Sequence, residues 1–218
     1  MRHRPGAVAL VARRQVVNTD RMRILPCGHD GVLVEVTDAA QAVSLARFAR
    51  LGRAPAVDVV PGAATVLFDG VGDRSALEEL LARWSPEEAE TLGPLVELPT
   101  TYDGADLADL ADLWGTDVAG VVARHSGIDF VSAFCGFAPG FAYLTGLPED
   151  LAVPRRETPR TRVPAGSVAL AGAWCGVYPG ASPGGWQLLG TTDVGLWDET
   201  RDEPALLAPG TRVRFVPR

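Results

Sequence analysis

Apolar and polar positions along the chain follow two periods, and the first half alternates between them. Arg23–Pro26 and Val32–Val36 read as short strands on either side of Gly28-His29-Asp30-Gly31, a hairpin-type turn. Asp38–Arg50 reads as a helix. Val57–Val60 and Thr65–Asp69 read as a second strand pair around Pro61-Gly62. In Arg74–Trp84 the residues Leu77, Leu80, Leu81 and Trp84 fall at i, i+3, i+4 and i+7, which is one apolar helical face. Ser75 and Glu78 have the spacing of a capping box at its start. The order ββαββα predicts a small two-layer α+β unit over residues 22–93, with its boundary near Leu92-Gly93-Pro94.

The second half begins in the same manner and then changes. Leu95–Pro99 reads as a strand. Leu107, Leu110 and Trp114 form the stripe of one helix, and Val118, Val121, Val122 and His125 share a face of the next. Thr116 or Asp117 can cap that second helix, and Gly127 suits a left-handed stop. Beyond Phe130–Phe134, residues 136–190 hold ten Gly and seven Pro in 55 positions, interleaved with six large aromatics. That density breaks long elements, while the aromatics argue against a flexible linker. The expectation is a compact region of short strands and structured loops, a barrel, closed by Thr211–Val216.

Composition narrows the chemistry. All 20 basic side chains are Arg, and Lys is absent from the 218 residues. A GxxxxGK[ST] phosphate loop and a Lys Schiff base are therefore excluded within this chain. Apolar residues at 47% and charged ones at 22% fit a soluble globular protein with enough core to fold unaided. A net charge of −7 with no basic run argues against nucleic-acid binding. Cys27, Cys135 and Cys175 lack CxxC spacing, and with only three His in the chain neither a disulfide framework nor a metal centre is indicated. Cysteine usage fits a reducing cytoplasm, and no apolar run approaches the roughly 20 residues of a membrane span. Residues 1–21 lack a signal-peptide pattern and read as a disordered extension ahead of Met22, itself a possible start.

The Gly/Pro-rich half carries four blocks. They are Gly136-Phe137-Ala138-Pro139-Gly140-Phe141-Ala142-Tyr143-Leu144, Pro154-Arg155-Arg156-Glu157-Thr158-Pro159-Arg160, Val163-Pro164-Ala165-Gly166-Ser167-Val168-Ala169-Leu170, and Tyr178-Pro179 followed by Ser182-Pro183-Gly184-Gly185-Trp186-Gln187. Pro fixes φ and Gly permits unusual φ and close backbone approach, so rigid loops that hold a ligand would use both. Arg155, Arg156, Arg160 and Arg162 concentrate positive charge beside one acid, Glu157. Such Arg can grip a carboxylate or phosphate bidentately, or pair with acids elsewhere in the chain. His125 reads either as a packed core residue near a helix C-terminus or as a general acid or base in a cleft. Ser167 lacks the GxSxG context of a nucleophile. Cys135 and Cys175 read as small buried side chains, and Tyr178 and Trp186 either line a pocket or fill the barrel.

These blocks, in this order and preceded by His125-Ser126-Gly127, resemble the pattern of the B subunit of bacterial ATP-dependent 5-oxoprolinase. That family is also described as KipI-type kinase inhibitors and as allophanate hydrolase subunit 1. Its pattern is roughly GFxPGFxYLxGL, PRxxxPRxxVPAGSV and YPxxxPGGWQxxGxT, and the resemblance spans residues 22–218. It implies a small N-terminal α+β domain over 22–93 and a cyclophilin-like β-barrel of carboxyltransferase C/D type over 94–218. It also implies a complex with two partners, a KipA-like C subunit with a homologous barrel and a larger A subunit. Such a complex hydrolyses 5-oxo-L-proline to L-glutamate with ATP, and Mg²⁺ as its counter-ion, because phosphorylating the stable lactam's amide oxygen creates a leaving group. Alternatives are regulation of a sensor histidine kinase or a place in allophanate and urea metabolism.

Carried onto this sequence, the resemblance gives Arg155 and Arg160 an anionic group of substrate or nucleotide, and His125 proton transfer or substrate orientation. Gly140, Gly166, Gly184 and Gly185 would let backbone approach the ligand. Ser167 and Gln187 would hydrogen-bond it, and Phe137, Pro139, Phe141, Tyr178, Pro183 and Trp186 would contact or wall it. No metal ligands are assigned. The chain departs from the pattern at Trp174-Cys175-Gly176, where the family usually reads QTG, and at Gly190-Thr191-Thr192, where it reads GRT. Both departures bear on substrate choice.

Overall fold

The computed structural model describes residues 17–19, 22–86 and 93–218. Of the extension expected over residues 1–21, Val17–Thr19 form a strand, β1, and the rest lies outside the described residues. β1 pairs with β2 (Met22–Cys27), which turns into β3 (Gly31–Glu35); α1 (Ala39–Leu51), β4 (Asp58–Pro61), β5 (Thr65–Asp69) and α2 (Arg74–Leu81) follow. The strands make an antiparallel sheet in the order β1-β2-β3-β5-β4. Alternation decides its faces: Val32, Val34, Val66 and Phe68 point inward, where they meet Ala42, Leu45, Ala46 and Ala49 of α1 and Leu77 and Leu81 of α2. Gly28 at φ 61° makes the β2–β3 turn possible.

The helix ends are set by aspartates. Asp38 accepts from the Gln41 N–H at 2.9 Å, and Asp73 accepts from the Ala76 N–H at 3.0 Å. The capping box expected at Ser75 and Glu78 therefore does not form: the cap lies two residues earlier, and Glu78 accepts from Arg74 Nε at 2.9 Å.

A second sheet begins at β6 (Leu95–Thr100). Two helices follow, α3 (Leu107–Leu113) and α4 (Val118–Ser126), and Asp117 caps the second by accepting from the Gly120 N–H at 2.7 Å. Gly127, expected to stop α4 in a left-handed conformation, has φ −79° and stays right-handed. The remaining strands are β7 (Phe130–Cys135), β8 (Ala142–Thr145), β9 (Arg160–Val163), β10 (Ser167–Ala171), β11 (Trp174–Val177), β12 (Ser182–Gly184), β13 (Gln187–Thr191) and β14 (Arg212–Pro217). Seven strands run in the order β13-β10-β11-β8-β7-β14-β6, and a bridge between Thr101 and Thr191 brings the β6 end back to β13. The sheet is thus a nearly closed barrel, antiparallel except for β14 against β6.

Its inside is filled by Leu98, Phe130, Leu144, Val168, Leu170, Val177, Val213 and Phe215, with Leu107 and Leu110 of α3 and Val121 of α4 in the same core. β10 is buried along its whole length. Val168 and Leu170 face that core, while Ala169 and Ala171 face a smaller one built with Phe141, Val163, Tyr178, Trp186 and Leu188. The two-stranded sheet β12-β9 lies over this outer layer, and the candidate site lies there.

Candidate functional site

An aromatic cluster organises the site. The Phe141 ring is its hub, with edge-to-face contacts to Phe137, Tyr143, Tyr178 and Trp186 at centroid separations of 5.0–5.5 Å. Such pairs hold one another's rings in place without a polar partner. They leave a cleft of about 70 Å³ lined by Phe137, Phe141, Tyr143, Arg155, Tyr178, Pro183, Gly184, Gly185 and Trp186. A wider groove of about 440 Å³ adjoins it, sharing Tyr143, Arg155 and Trp186 and adding Val153, Pro154, Ala171, Gly172 and Trp174. Seven residues assigned from sequence to ligand contact, and Arg155, thus converge. Phe137 stands at the rim 63% exposed, on a backbone at φ 69°. A bulky residue held exposed in the left-handed region is costly and is found where function constrains the chain.

The glycines work differently from the expectation. A side chain at Gly140 would press on Leu196 and Trp197, one at Gly166 on the Thr192 carbonyl, and one at Gly184 on the Tyr178 ring. Their close approach is therefore to the chain's own atoms, which packs the cleft wall. Ser167 is buried and its carbonyl accepts from the Tyr178 N–H at 3.0 Å, so it supports the wall from behind. Gln187 does the same for the Arg loop, donating from Nε2 to the Pro154 carbonyl at 3.1 Å. Pro139 is exposed and does not line the cleft.

The arginines divide. Arg155 is exposed and faces both hollows. Arg160, expected to bind an anionic ligand beside it, instead donates from Nη2 to Asp106 Oδ1 at 2.6 Å, and Arg156 donates from Nη1 to the same oxygen at 2.7 Å. Asp106 is 1% exposed, and its other oxygen accepts from the Leu188 N–H at 2.7 Å. Burial alone would raise this carboxyl. The hydrogen bonds from Arg160 and Leu188 and the charges of both arginines outweigh burial and hold it below the ordinary carboxylate range. Sequence reasoning missed Asp106: its partners lie 50 and 54 residues away, a separation no local pattern reports.

His125, expected in proton transfer, is fully buried between the Phe130 and Phe215 rings and lines neither hollow. Nδ1 lies 2.8 Å from the Tyr102 hydroxyl and Nε2 lies 3.5 Å from Cys175 Sγ. Burial lowers its pKa to about 3 and pushes the Tyr102 and Cys175 groups up, so all three stay neutral at pH 7. Val121 and His125, four residues apart on α4, both face the core, which carries the imidazole inward.

A 5-oxoprolinase B subunit from Escherichia coli O157:H7 is 52% identical over 146 residues, 64% of this chain and 66% of that protein. Proteins of the same description from Haemophilus influenzae and Bacillus subtilis are 43% and 40% identical over 143 residues, covering 66% and 59% of their lengths. The chain thus spans just under two thirds of the length of the curated relatives it matches. Among solved structures, TTHA0988 superposes with a TM-score of 0.76 at 34% identity, covering 87% of this chain and 40% of that one. The uncharacterized PH0987 of Pyrococcus horikoshii gives 0.55 at 32%, covering 89% and 97%. The Kluyveromyces lactis urea carboxylase shares the fold at 20% identity and a TM-score of 0.63, over 90% of this chain and 22% of that one. The family described as carboxyltransferase domain, subdomain C and D, matches residues 22–207, and the chain belongs to it.

Proposed function

We propose that the chain is the B subunit of an ATP-dependent 5-oxoprolinase-type complex and that the barrel cleft receives 5-oxo-L-proline. The observation that carries this reading is the meeting of one exposed guanidinium, Arg155, with the aromatic walls of Phe141, Tyr178 and Trp186. A five-membered lactam ring presents two flat faces and one carboxylate. The rings take the faces, and Arg155 takes the carboxylate. Relatives named as 5-oxoprolinase B subunits support the substrate class.

The reaction adds water to the lactam carbonyl and breaks the ring C–N bond, so the ring nitrogen becomes the amine of glutamate. ATP would supply activation by phosphorylating the amide oxygen. The chain has no Lys and no GxxxxGK[ST] loop with which to hold a triphosphate. ATP and its Mg²⁺ are therefore assigned to the partner chains, the A subunit with the homologous-barrel C subunit. This chain contributes binding and orientation and excludes water through its aromatic wall. His125, neutral and enclosed, holds α4 to the barrel and takes no proton from substrate.

The test is co-expression with the neighbouring subunits and an assay of ATP-dependent glutamate release from 5-oxoproline. Release that requires all subunits supports the proposal. An assembled complex that releases none removes it.

A further inference from the structure

Arg155 does not hold itself at the cleft. Its neighbours are fixed from three directions: the Pro154 carbonyl accepts from Gln187 Nε2 at 3.1 Å, the Arg156 N–H donates to the Gly185 carbonyl at 2.8 Å, and the Arg156 guanidinium reaches Asp106 at 2.7 Å. Four residues on, Arg160 pairs in register with Gly184 across β9 and β12 and sends its guanidinium to the same Asp106 oxygen. The other Asp106 oxygen binds the Leu188 N–H on β13, two residues beyond Trp186, and the Asp106 N–H returns to the Leu188 carbonyl at 3.2 Å. One buried carboxylate therefore ties together the Arg loop, the glycine pair and the start of β13, which directly follows Trp186.

From this we infer that Asp106 is the positioning residue of the site, setting the separation between the Arg155 guanidinium and the Trp186–Tyr178 wall through Arg156 and Arg160. The inference rests on the cleft being the substrate site. Its physical ground is the cost of the alternative. Among the described residues Asp106 is the ion partner of both Arg156 and Arg160, which are partly buried. Without the carboxylate, two guanidinium groups remain in a poor solvent environment and move outward to water, taking the loop with them. Arg155 sits next to one of them. Small displacements of a binding group are costly: a shift of about 1 Å can reduce turnover efficiency by about 100-fold.

Asp106→Asn keeps the shape and one carbonyl acceptor but removes the charge. In the full-length chain, amide exchange over residues 154–160 and 184–188 should rise by about 10-fold or more, with exchange over α1 and α2 unchanged. In the assembled complex, KM for 5-oxoproline should rise by about 10-fold or more while kcat changes by less than about threefold, the signature of lost binding. Arg156→Gln removes one of the two ion pairs at a half-exposed side chain and should shift both readouts in the same direction by less. It decides the matter if Asp106→Asn does not fold. Unchanged exchange in the folded variants, or equal losses in kcat and kcat/KM, overturns the positioning role. A wild-type complex that releases no glutamate overturns the functional reading, and the exchange measurement then judges the clamp by itself.

Discussion

The hollow between α1 and α2 measures about 410 Å³, whereas the barrel cleft measures about 70 Å³. Both contain arginine: Arg53 and Arg83 in the first, Arg155 in the second. The first is rimmed by Gly52, Pro55, Ala76, Glu79 and Leu80, with no aromatic ring and an acid beside the cations. The second is walled by five aromatic rings and holds a single cation. Space alone does not make a site. A ligand needs surfaces that lose water together and a charge beside them, and the smaller hollow, with its aromatic walls and Arg155, offers both.

The two cores differ in what they support. Phe141→Ala removes the hub of the aromatic cluster from a site 2% exposed, and should cost about 3–5 kcal/mol of stability as well as substrate binding. Leu77→Ala in α2 empties an equally buried position in the other core and should cost about 2–5 kcal/mol while leaving KM unchanged. Denaturant titration with steady-state kinetics on the two variants checks the contrast. A KM change in Leu77→Ala would break the separation of scaffold from site.

A smaller effect comes from pH. The folded His125 titrates near pH 3 and an unfolded one near 6.5, so between those values the unfolded chain binds a proton that the folded chain does not. Stability is fully present above pH 6.5 and falls with acidification by up to about 1.4 kcal/mol per pH unit. The lowered Asp106 carboxyl acts in the same direction, but only below the ordinary carboxylate range. Urea midpoints measured from pH 6.5 to 4.5 therefore isolate the histidine. A flat profile there would show that the imidazole is not enclosed.

The same contrast marks what the chain discloses before its structure is known. In the first sheet, period-two strands and the Leu77/Leu80/Leu81/Trp84 stripe are local patterns, and the structure follows them with shifts of a few residues at the ends. The cap moved from Ser75 to Asp73 because the extended residue before the helix, not the spacing of a box, decides which oxygen can turn back. In the barrel, local pattern reaches only β6, β7, β14 and the two helices. β10 is buried on both faces and carries no alternation to read, and β9 and β12 are three or four residues long among prolines. The aromatic wall and Arg155 were legible through the motif blocks. Asp106 was not, because its ion pairs join distant parts of the chain. His125 was ambiguous because a core histidine and a catalytic one share the same helical position, and only the surrounding Phe130 and Phe215 rings settle it.

The central claim is that Arg155 and the aromatic wall bind the substrate. KM for 5-oxoproline in the assembled complex tests it, with Arg155→Ala set against Arg53→Ala, which removes a cation from the larger hollow. Loss of a charge-assisted bidentate contact should raise KM by about 10–100-fold in Arg155→Ala, with the melting temperature and kcat nearly unchanged. Arg53→Ala should behave as wild type. A wild-type KM in Arg155→Ala, or equal rises in the two variants, would contradict the account.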